Sequence, residues 1–356
     1  MNYSWSFQTS VPKAWEAMLA SIEQARESID LEQYIFEHDS IGEKFAETLI
    51  RKAHEGIKIR VLCDTAGSFY MYSSSLPTRM KDAGIEIRFF NHIGLWRIHT
   101  IASWFFRDHR KLLIIDGTQS FTGGVGIRDD MAEWRDTSLA ITGPIAHEML
   151  GSFEQMWKKA GKKIFFRFKK QKSEYTTWNF ITNAPRFQQR RLYHLYIAVI
   201  RNARKRIYIT TPYFIPDIRM TRVLRLAARR GVDVRIIVPY SSDVAWVDRV
   251  SRSYFHTLLQ SGIKIYRYLP SFIHTKTAVI DDDWATIGSF NLDSLSFLYN
   301  YEGNAVSSDK ECVSQLVEHF NNDLTQCEEL KKETWNKRSF GQKLMEFISL
   351  PLRKIL

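Results

Sequence analysis

Apolar residues repeat every three or four positions in two stretches of this chain, one near its start and one just past its middle. Such spacing places the apolar side chains on one face of a helix. The two sets are Trp15, Met18, Leu19 and Ile22, and Tyr193, Tyr196, Ile197 and Ile200. Each predicted helix is followed by a largely apolar run of strand length, at 29–36 in the first case and 207–214 in the second.

The order of the later elements is also the same in the two stretches. A second predicted helix ends at a glycine, Gly56 or Gly231, which is a common helix stop. An apolar strand follows at once, at 57–63 or 232–238, and a further helix and a short strand come next. Because helices and strands alternate, we expect an α/β fold with mixed, mostly parallel sheets.

A polar motif closes each series of elements. "RDHRKLLIIDGTQSFTGGVGI" begins at residue 107, and "FIHTKTAVIDDDWATIGSFNLDSLS" begins at residue 272. Five positions recur 165 residues later: His109, Lys111, Asp116, Gly123 and Gly124 as His274, Lys276, Asp281, Gly288 and Ser289. An ordered series at one offset indicates an internal repeat. We therefore predict two tandem domains related by pseudo-twofold symmetry, with one composite active site at their interface.

The repeat also sets the predicted domain bounds. The first domain covers 1–165, and the second covers 183–330. Between them, 166–182 is predicted as a connector of basic and aromatic residues without clear periodicity. The remainder, 331–356, is predicted as a basic amphipathic tail that suits weak anchoring on a membrane surface.

Composition restricts the class of protein. Of the 356 residues 44% are hydrophobic, and no run approaches the roughly 20 consecutive apolar residues of a membrane-spanning helix. The cysteines Cys63, Cys312 and Cys327 show no paired spacing, which argues against a disulfide framework and a structural zinc site. The net charge of +11 favours a polyanionic partner, either nucleic acid or an anionic lipid surface.

The spacing within the motif suits phosphoryl transfer. In a strand, positions i and i+2 share a face, so His109 and Lys111 point together, as do His274 and Lys276. If the two strands meet at the interface, one histidine attacks phosphorus while the other protonates the leaving oxygen. The lysines neutralise the charge that develops on the phosphate. This chemistry requires neither a metal ion nor an organic cofactor, and the sequence predicts none.

Further residues are candidates for supporting roles. Small or polar residues after the motif bring hydrogen-bond donors close to the phosphate; they are Gly123, Gly124, Gly288, Ser289 and Asn291. A nucleophilic imidazole also needs its second nitrogen held by an acceptor, and the candidates are Asp136 in "WRDT" and Glu302 in "YNYEGN". The alternative for both carboxylates is an exposed position near a turn.

The paired motif resembles the signature of the phospholipase D superfamily, which is His-x-Lys, four residues, Asp, and then a small-residue patch that ends in Asn. "HTKTAVIDDDWATIGSFNLDSLS", "YEGN", "HRKLLIID" and "GPIAHEM" are similar to the shorter, membrane-peripheral bacterial cardiolipin synthases. The resemblance implies phosphatidyl transfer through a phosphohistidine on His109, and it adds Asp116 and Asp281 to the catalytic set. The first copy departs from the signature, because Gly126 stands where the second copy has Asn291.

Aromatic and basic residues are interleaved in two further stretches of the chain. The candidates for membrane contact there are Trp96, Trp104, Phe105, Phe106, Phe165 and Phe166. Bulky rings beside cations suit the headgroup layer of a membrane, and the alternative is that some of these rings pack in the core. The same combination suits single-stranded nucleic acid, so a nuclease is a competing interpretation. The resemblance implies that nucleases of the superfamily are shorter chains with a single motif. This chain carries both copies, which favours a lipid substrate over nucleic acid.

We therefore expect a phosphatidyltransferase that acts on phospholipids such as phosphatidylglycerol, most directly in cardiolipin synthesis. The first alternative is hydrolysis of phospholipid to phosphatidic acid, and the second is cleavage of nucleic acid. A scaffold protein is disfavoured because both His-Lys pairs are intact. The expected partner is an anionic membrane surface rather than nucleic acid, with the protein peripheral on the cytoplasmic face of a bacterial inner membrane. The pattern gives no oligomeric state.

Overall fold

The computed structural model describes residues 3–92, 105–161 and 177–338, which form two similar α/β halves. The elements of the first half, in chain order, are β1 (Ser4–Gln8), α1 (Val11–Glu23), β2 (Ser28–Gln33), α2 (Ser40–His54), β3 (Lys58–Asp64), α3 (Phe69–Ser73), α4 (Leu76–Asp82), β4 (Glu86–Phe90), β5 (Leu112–Ile115), β6 (Gln119–Gly123), β7 (Ser138–Thr142) and α5 (Ile145–Ala160). A short 3₁₀ turn, Asp129–Met131, lies between β6 and β7.

The second half repeats this sequence of elements. Its elements are β8 (Trp178–Asn183), α6 (Arg191–Asn202), β9 (Arg206–Thr210), α7 (Ile218–Arg229), β10 (Asp233–Pro239), α8 (Ala245–Leu259), β11 (Lys264–Tyr268), β12 (Thr277–Ile280), β13 (Trp284–Gly288), β14 (Glu302–Ser307), α9 (Lys310–Leu324), β15 (Cys327–Glu329) and α10 (Lys332–Asn336). A 3₁₀ turn, Phe187–Gln189, precedes α6, and a π-helical turn, Leu295–Tyr299, precedes β14.

The two sheets have the same strand order. The first runs β1-β7-β6-β5-β2-β3-β4, and the second runs β8-β14-β13-β12-β9-β10-β11 with β15 added at its edge. Each strand of the first sheet therefore has a counterpart at the same position in the second. The prediction of two tandem α/β domains with mixed sheets is confirmed.

The expectation that the sheets are mostly parallel is wrong. Among the described strands, the parallel pairs are β2–β3 and β3–β4 in the first sheet, and β9–β10 and β10–β11 in the second. Helices connect these strands, and a parallel pair requires such a crossover. The remaining neighbours pair antiparallel; the β5–β6 and β12–β13 pairs, for example, are each joined by a three-residue turn.

The predicted apolar helix faces lie in the cores. Trp15, Met18, Leu19 and Ile22 of α1 are buried, and so are their counterparts on α6. Three helices begin at an aspartate whose carboxylate accepts a hydrogen bond from a backbone N–H in the first turn; these are α2, α7 and α9, capped by Asp39, Asp217 and Asp309. These helices therefore combine a capped first turn with an apolar face in the core.

A third hydrophobic cluster joins the two halves. It contains residues of β5 and α5 from the first half, such as Ile114 and Phe153, and residues of β12 and α9 from the second, such as Val279 and Phe320. The halves therefore pack against each other through a continuous apolar interior, which fixes the relative position of β5 and β12.

The second sheet begins inside the range predicted as the connector. Strand β8 starts at Trp178 and pairs antiparallel with β14, whereas the prediction extends the connector over 166–182. Past 330, Trp335 of α10 is buried in the second half, with its ring tilted against that of Phe255 at 5.5 Å between centroids. Residues 339–356 lie outside the described residues. Of the helices in the described ranges, none has both the length and the apolar character needed to cross a bilayer. The other domain bounds stay predictions.

Candidate active site

The two His-x-Lys segments enter the site directly before β5 and β12. Each of these strands runs antiparallel to the neighbouring β2 or β9, so its first residues lie at the edge where the parallel strands end. The backbone of the other half holds each segment in place. His109 donates its N–H to the carbonyl of Tyr301 at 3.0 Å, and His274 donates its N–H to the carbonyl of Arg135 at 2.8 Å.

Each histidine is oriented by a carboxylate from the opposite half. The Nδ1 atom of His109 lies 3.0 Å from Glu302 Oε1, and Nδ1 of His274 lies 2.7 Å from Asp136 Oδ2. The structure thus places both predicted carboxylates against a histidine, and all four side chains are buried. An Nδ1–H donated to a carboxylate leaves the lone pair of the neutral ring on Nε2, the nitrogen required for attack on phosphorus.

The support of the two carboxylates differs. Glu302 accepts hydrogen bonds from the hydroxyls of Ser289 at 2.5 Å and Ser296 at 2.7 Å. Burial alone would raise the pKa of Glu302, but the charges and hydrogen bonds of His109, Lys111 and Ser289 outweigh it, so the pKa lies below its ordinary value. Asp136 instead accepts the backbone N–H of Thr137 at 2.7 Å.

The two lysines are buried beside the histidines. Lys111 Nζ donates to the carbonyl of His109 at 2.7 Å, and Lys276 Nζ donates to the carbonyl of His274 at 2.5 Å. Burial lowers the pKa of Lys111 to about 8, against the opposing charge of Glu302. Burial also lowers the pKa of Lys276 to about 7, against the opposing charge of Asp136. Both ammonium groups therefore lack full compensation until an anion enters.

The charged lysine of each half also acts on the histidine of the other half. Burial lowers the pKa of His109, and the charge of Lys276 from the other half lowers it further. Burial lowers the pKa of His274 to about 3, and Lys111 from the other half contributes in the same direction. Both imidazoles are consequently neutral near pH 7 in the free protein.

Several residues of the site carry no motif signal. The ring of Tyr34 stands edge-on to His109 with centroids 4.8 Å apart, and Lys111 Nζ lies 5.2 Å from the same ring. Trp134 lies 5.1 Å from His274. Trp134 precedes Asp136 by two residues, so its closeness in sequence to a candidate carboxylate could have indicated that it belongs to the site. No feature of the sequence indicates that Tyr34 does.

The residues directly before the carboxylates tie the halves together. Arg135 forms a two-pronged ion pair with Asp323 of α9, at 2.8 and 2.9 Å. On the other side, the backbone N–H of Tyr301 donates to the carbonyl of Arg107 at 2.8 Å, and the Tyr301 hydroxyl contacts Lys159 of α5. Each carboxylate is therefore anchored to the half whose histidine it serves.

The predicted phosphate-binding residues have unequal surroundings. A Cβ added at Gly124 would lie 2.4 Å from the Asp136 carboxylate, and one at Gly288 would lie 2.3 Å from the carbonyl of Gly303. Gly123 is as crowded, against Thr137. These three glycines therefore make room for neighbouring protein groups, and Ser289 supports Glu302 as described. A phosphate contact for any of these four residues stays a prediction.

Asn291 is the one predicted phosphate ligand that ends in a carboxamide; its NH₂ group would be the donor, and its contact with phosphate stays a prediction. It is 3% exposed, and its Oδ1 has no hydrogen-bond partner among the described residues. At the matching position in the first half, the carbonyl of Gly126 accepts a hydrogen bond from Trp15 Nε1 at 2.8 Å. The first half thus has no side-chain donor there, so the two halves contribute unequally.

The structure does not bring Asp116 and Asp281 into the site. Both lie at the far end of β5 or β12, five residues beyond the lysine, which is about 16 Å along an extended strand. Asp116 accepts the backbone N–H groups of Arg26, Glu27 and Ser28 at 2.8 to 3.2 Å, and Asp281 does the same for 204–206. The catalytic role predicted for them is therefore corrected to one of holding the turn before β2 or β9.

We expect Asp116→Ala to lower the free energy of unfolding by about 1–2 kcal/mol, because three backbone donors lose a partly exposed acceptor. The pKa of Asp116 is lowered, since its backbone hydrogen bonds outweigh the effect of burial. The stability that it supplies is therefore present above the unfolded pKa and is lost as pH falls through the folded pKa. Urea unfolding at pH 7 and at acidic pH measures both effects.

Turnover of Asp116→Ala below its unfolding temperature should remain within a few-fold of the native value, since no reacting group is touched. A loss of kcat as large as that of a histidine variant, in a folded protein, would return Asp116 to the catalytic set. Asp281→Ala is the matched variant in the second half.

The predicted membrane-contact residues fall mostly outside the described residues. This holds for Trp96, Trp104, Phe165 and Phe166. Phe105 and Phe106 are half-buried and pack on Tyr299 of the other half, with ring centroids 4.8 and 6.1 Å apart. These two rings thus help to close the interface, and a membrane role for the set stays a prediction.

Two α/β sheets with one strand order, each led by a His-x-Lys segment at a shared interface, define a phospholipase D-type fold. The chain belongs to the family described as "Cardiolipin synthase, PLD-like domain", which matches residues 18–157 and 196–324. The recognition and the enzyme class predicted from the sequence are thereby confirmed, and the chain is a phosphatidyltransferase of the phospholipase D superfamily.

Curated relatives agree over most of the chain. Cardiolipin synthase 2 of Bacillus anthracis is 34% identical over 362 aligned residues, which cover 96% of this chain and 70% of that protein. Cardiolipin synthase of Listeria welshimeri serovar 6b is 34% identical over 358 residues, covering 96% of this chain and 73% of that protein.

Solved structures agree in fold. Phosphatidylserine synthase of Haemophilus influenzae Rd KW20 superposes with a TM-score of 0.73 at 15% identity, covering 99% of this chain and 95% of that one. Polyphosphate kinase of Porphyromonas gingivalis gives a TM-score of 0.65 at 14% identity, covering all of this chain and 54% of that one. At such identities the likeness concerns the fold alone.

Proposed function

We propose that this protein makes cardiolipin by transferring a phosphatidyl group from one phospholipid to the hydroxyl of another. The observation that carries the proposal is the pair of buried imidazoles, each hydrogen-bonded to a carboxylate of the other half. Beside them lie two buried lysines whose pKa values are lowered by burial. The printed names of the Bacillus and Listeria relatives support the product.

In the first step, Nε2 of His109 attacks the phosphorus of a phosphatidylglycerol. The N–P bond forms, the bond from phosphorus to the glycerol oxygen breaks, and His274 gives that oxygen a proton. His274 is neutral in the free protein, and the anionic phosphodiester raises its pKa because a nearby negative charge favours the imidazolium. His109 keeps its Nδ1 proton throughout and donates it in a hydrogen bond to the Glu302 carboxylate, whose charge stabilises the positive ring.

In the second step, the neutral His274 accepts the proton of the incoming lipid hydroxyl. Its oxygen attacks phosphorus, and the N–P bond breaks, which restores His109. Lys111 and Lys276 stabilise the charge on the nonbridging oxygens in both steps, and Asn291 adds an amide. His109 and His274 are only 8% and 6% exposed, so both steps take place in a largely enclosed site.

The proposed place of action is the surface of an anionic membrane, on the cytoplasmic face of the inner membrane of a bacterium. The net charge of +11 supports attraction to such a surface. The curated relatives named above are from bacteria, which supports the cell type.

Product analysis tests the function. The protein is incubated with phosphatidylglycerol vesicles in buffer with EDTA, and the lipids are identified by mass spectrometry. Cardiolipin with one glycerol released per molecule is the expected result. Phosphatidic acid as the main product would establish the hydrolase instead, and cleavage of single-stranded DNA without lipid turnover would establish the nuclease. Activity that disappears with EDTA would contradict the metal-free mechanism.

We expect kcat/KM to fall as pH rises from about 7 to about 9, because this parameter reports groups of the free enzyme. Burial places the pKa of Lys276 near 7 and that of Lys111 near 8, and only the charged forms bind phosphate. Lys276→Arg keeps its charge at every relevant pH and should shift the alkaline limb upward by about one pH unit. A flat profile in the native protein would contradict this role of the lysines.

A further inference from the structure

We propose that the two segments that follow β3 and β10, which include part of α3 and the start of α8, form the surface by which the protein docks on an anionic phospholipid bilayer. We call this surface the docking rim; it consists of 69–72 in the first half and 240–246 in the second. The inference rests on the proposed function, because it assigns the rim to delivery of a lipid into the pocket.

In the first half, the rim begins directly at the active site. The carboxylate of Asp64, at the end of β3, accepts the backbone N–H of Asp108 next to the catalytic histidine, at 3.0 Å. The hydroxyl of Ser68 donates to the carbonyl of Tyr34 at 2.9 Å, and the Tyr34 ring contacts His109. The residue after Ser68 is the first of the rim, so 69–72 border the His109 side of the pocket.

The second half repeats this arrangement. The carboxylate of Asp243, within 240–246, accepts the hydroxyl of Tyr213 at 2.9 Å, and the Tyr213 ring lies 6.4 Å from His274. The charge of Asp243 also acts on Lys276. The two parts of the rim therefore flank the same pocket from opposite halves.

Apolar exposure is concentrated on the rim. Of the nine large hydrophobic side chains that are exposed among the described residues, six belong to it: Phe69, Tyr70, Tyr72, Tyr240, Val244 and Trp246. The most exposed of these are Tyr70 at 72% and Trp246 at 56%. Contiguous exposure of this kind marks an interaction surface, whereas single exposed apolar residues need no explanation.

Charge and position favour a bilayer as the occupant. The guanidinium of Arg249 lies 5.0 Å from the Trp246 ring, and that of Arg267 lies 4.5 Å from the Tyr240 ring. Aromatic rings beside cations suit the layer where phosphate groups meet acyl chains. Glu328 pairs with Arg267, so Arg249 is the charge on which the test relies. A bilayer also leaves the pocket between the two parts open to lipid, whereas a protein on both would cover it.

The experiment measures binding of the full chain to vesicles of phosphatidylcholine with phosphatidylglycerol by co-sedimentation. We expect the double variant Tyr70→Ala, Trp246→Ala to lose about tenfold in the partition coefficient, since two largely exposed rings no longer insert. The matched control is Leu226→Ala, which removes a side chain exposed to 43% on α7 outside the rim, and its binding should stay within twofold.

Arg249 lies outside the rim but beside Trp246, and its effect on binding is tested separately. Arg249→Gln should weaken binding to the anionic vesicles about fivefold, and its effect on pure phosphatidylcholine vesicles should be absent. Equal losses on both vesicle types would overturn the assignment of Arg249 to anionic headgroups. Native-like binding by the double variant would overturn the rim as the docking surface, and so would an equal loss in Leu226→Ala.

A second assay separates docking from catalysis. With a short-chain phosphatidylglycerol below its micelle concentration, the double variant should turn over like the native protein, and it should fail only on vesicles. An equal loss on both substrates would overturn docking as the role of these rings. If the native protein binds vesicles in the rim-dependent manner but transfers no phosphatidyl group, the proposed function fails and the docking rim stands.

Discussion

His109→Ala and His274→Ala should each lower kcat for phosphatidyl transfer by about 10³-fold or more, because one removes the nucleophile and the other removes the acid. A substrate with an activated leaving group distinguishes the roles of the two histidines. A phosphatidyl ester of p-nitrophenol needs no acid, so His274→Ala should still release one equivalent of nitrophenol and retain phosphorus on the protein. His109→Ala should show no such release.

His147→Ala is the control for these variants, since His147 is exposed on α5 away from the pocket. Its turnover should equal that of the native protein. Near-native turnover in either active-site variant would contradict a composite site. Release of nitrophenol by His109→Ala and not by His274→Ala would exchange the two roles but leave the shared site intact.

Glu302→Gln should lower kcat by about 10²–10⁴-fold without unfolding the protein. The amide keeps the size of the side chain, but it removes the charge that stabilises the imidazolium of His109 and its NH₂ group permits the wrong tautomer. The hydroxyls of Ser289 and Ser296, which donate to the carboxylate at 2.5 and 2.7 Å, also lose an anionic acceptor. Steady-state kinetics with phosphatidylglycerol measure the effect.

The double variant His109→Ala, Glu302→Gln tests whether the carboxylate acts through the histidine. If it does, the double variant is no slower than His109→Ala alone, because groups that act as a unit are not additive. Glu148→Gln is the matched control: Glu148 accepts the backbone N–H of Phe180 at 2.6 Å outside the pocket. Additive losses in the double variant would contradict the positioning role of Glu302.

The repeat made much of this molecule predictable from its sequence. The period-two geometry of a strand places His109 and Lys111 on one face, and the repeat predicts a second such pair. The prediction of mostly parallel sheets is wrong because it follows from the alternation of helices and strands alone, whereas the short turns between β5 and β6 and between β12 and β13 require antiparallel pairs. The segment Asp116-Gly117-Thr118 between β5 and β6 is a three-residue turn, and only an antiparallel pair accepts one.

The roles of the aspartates show where spacing was informative and where it was not. Asp116 lies five strand positions beyond Lys111, so the sequence alone already implies that it is far from the lysine. Only the family resemblance placed Asp116 among the catalytic residues. The pairing of Glu302 with His109 is different. It depends on how the halves pack through α5, α9 and the buried faces of both sheets, and no local pattern encodes that contact.

The crossed carboxylates have a consequence for how this protein could be divided. Asp136 lies in the same half as His109 but pairs with His274, and Glu302 lies in the same half as His274 but pairs with His109. Neither half alone therefore holds a complete His–carboxylate pair. The lysines, by contrast, bond within their own segments and would survive separation. If the two halves moved apart by a few ångströms, both imidazoles would lose their carboxylate partners at once. Catalysis therefore requires the two halves packed together, and neither repeat supplies it alone.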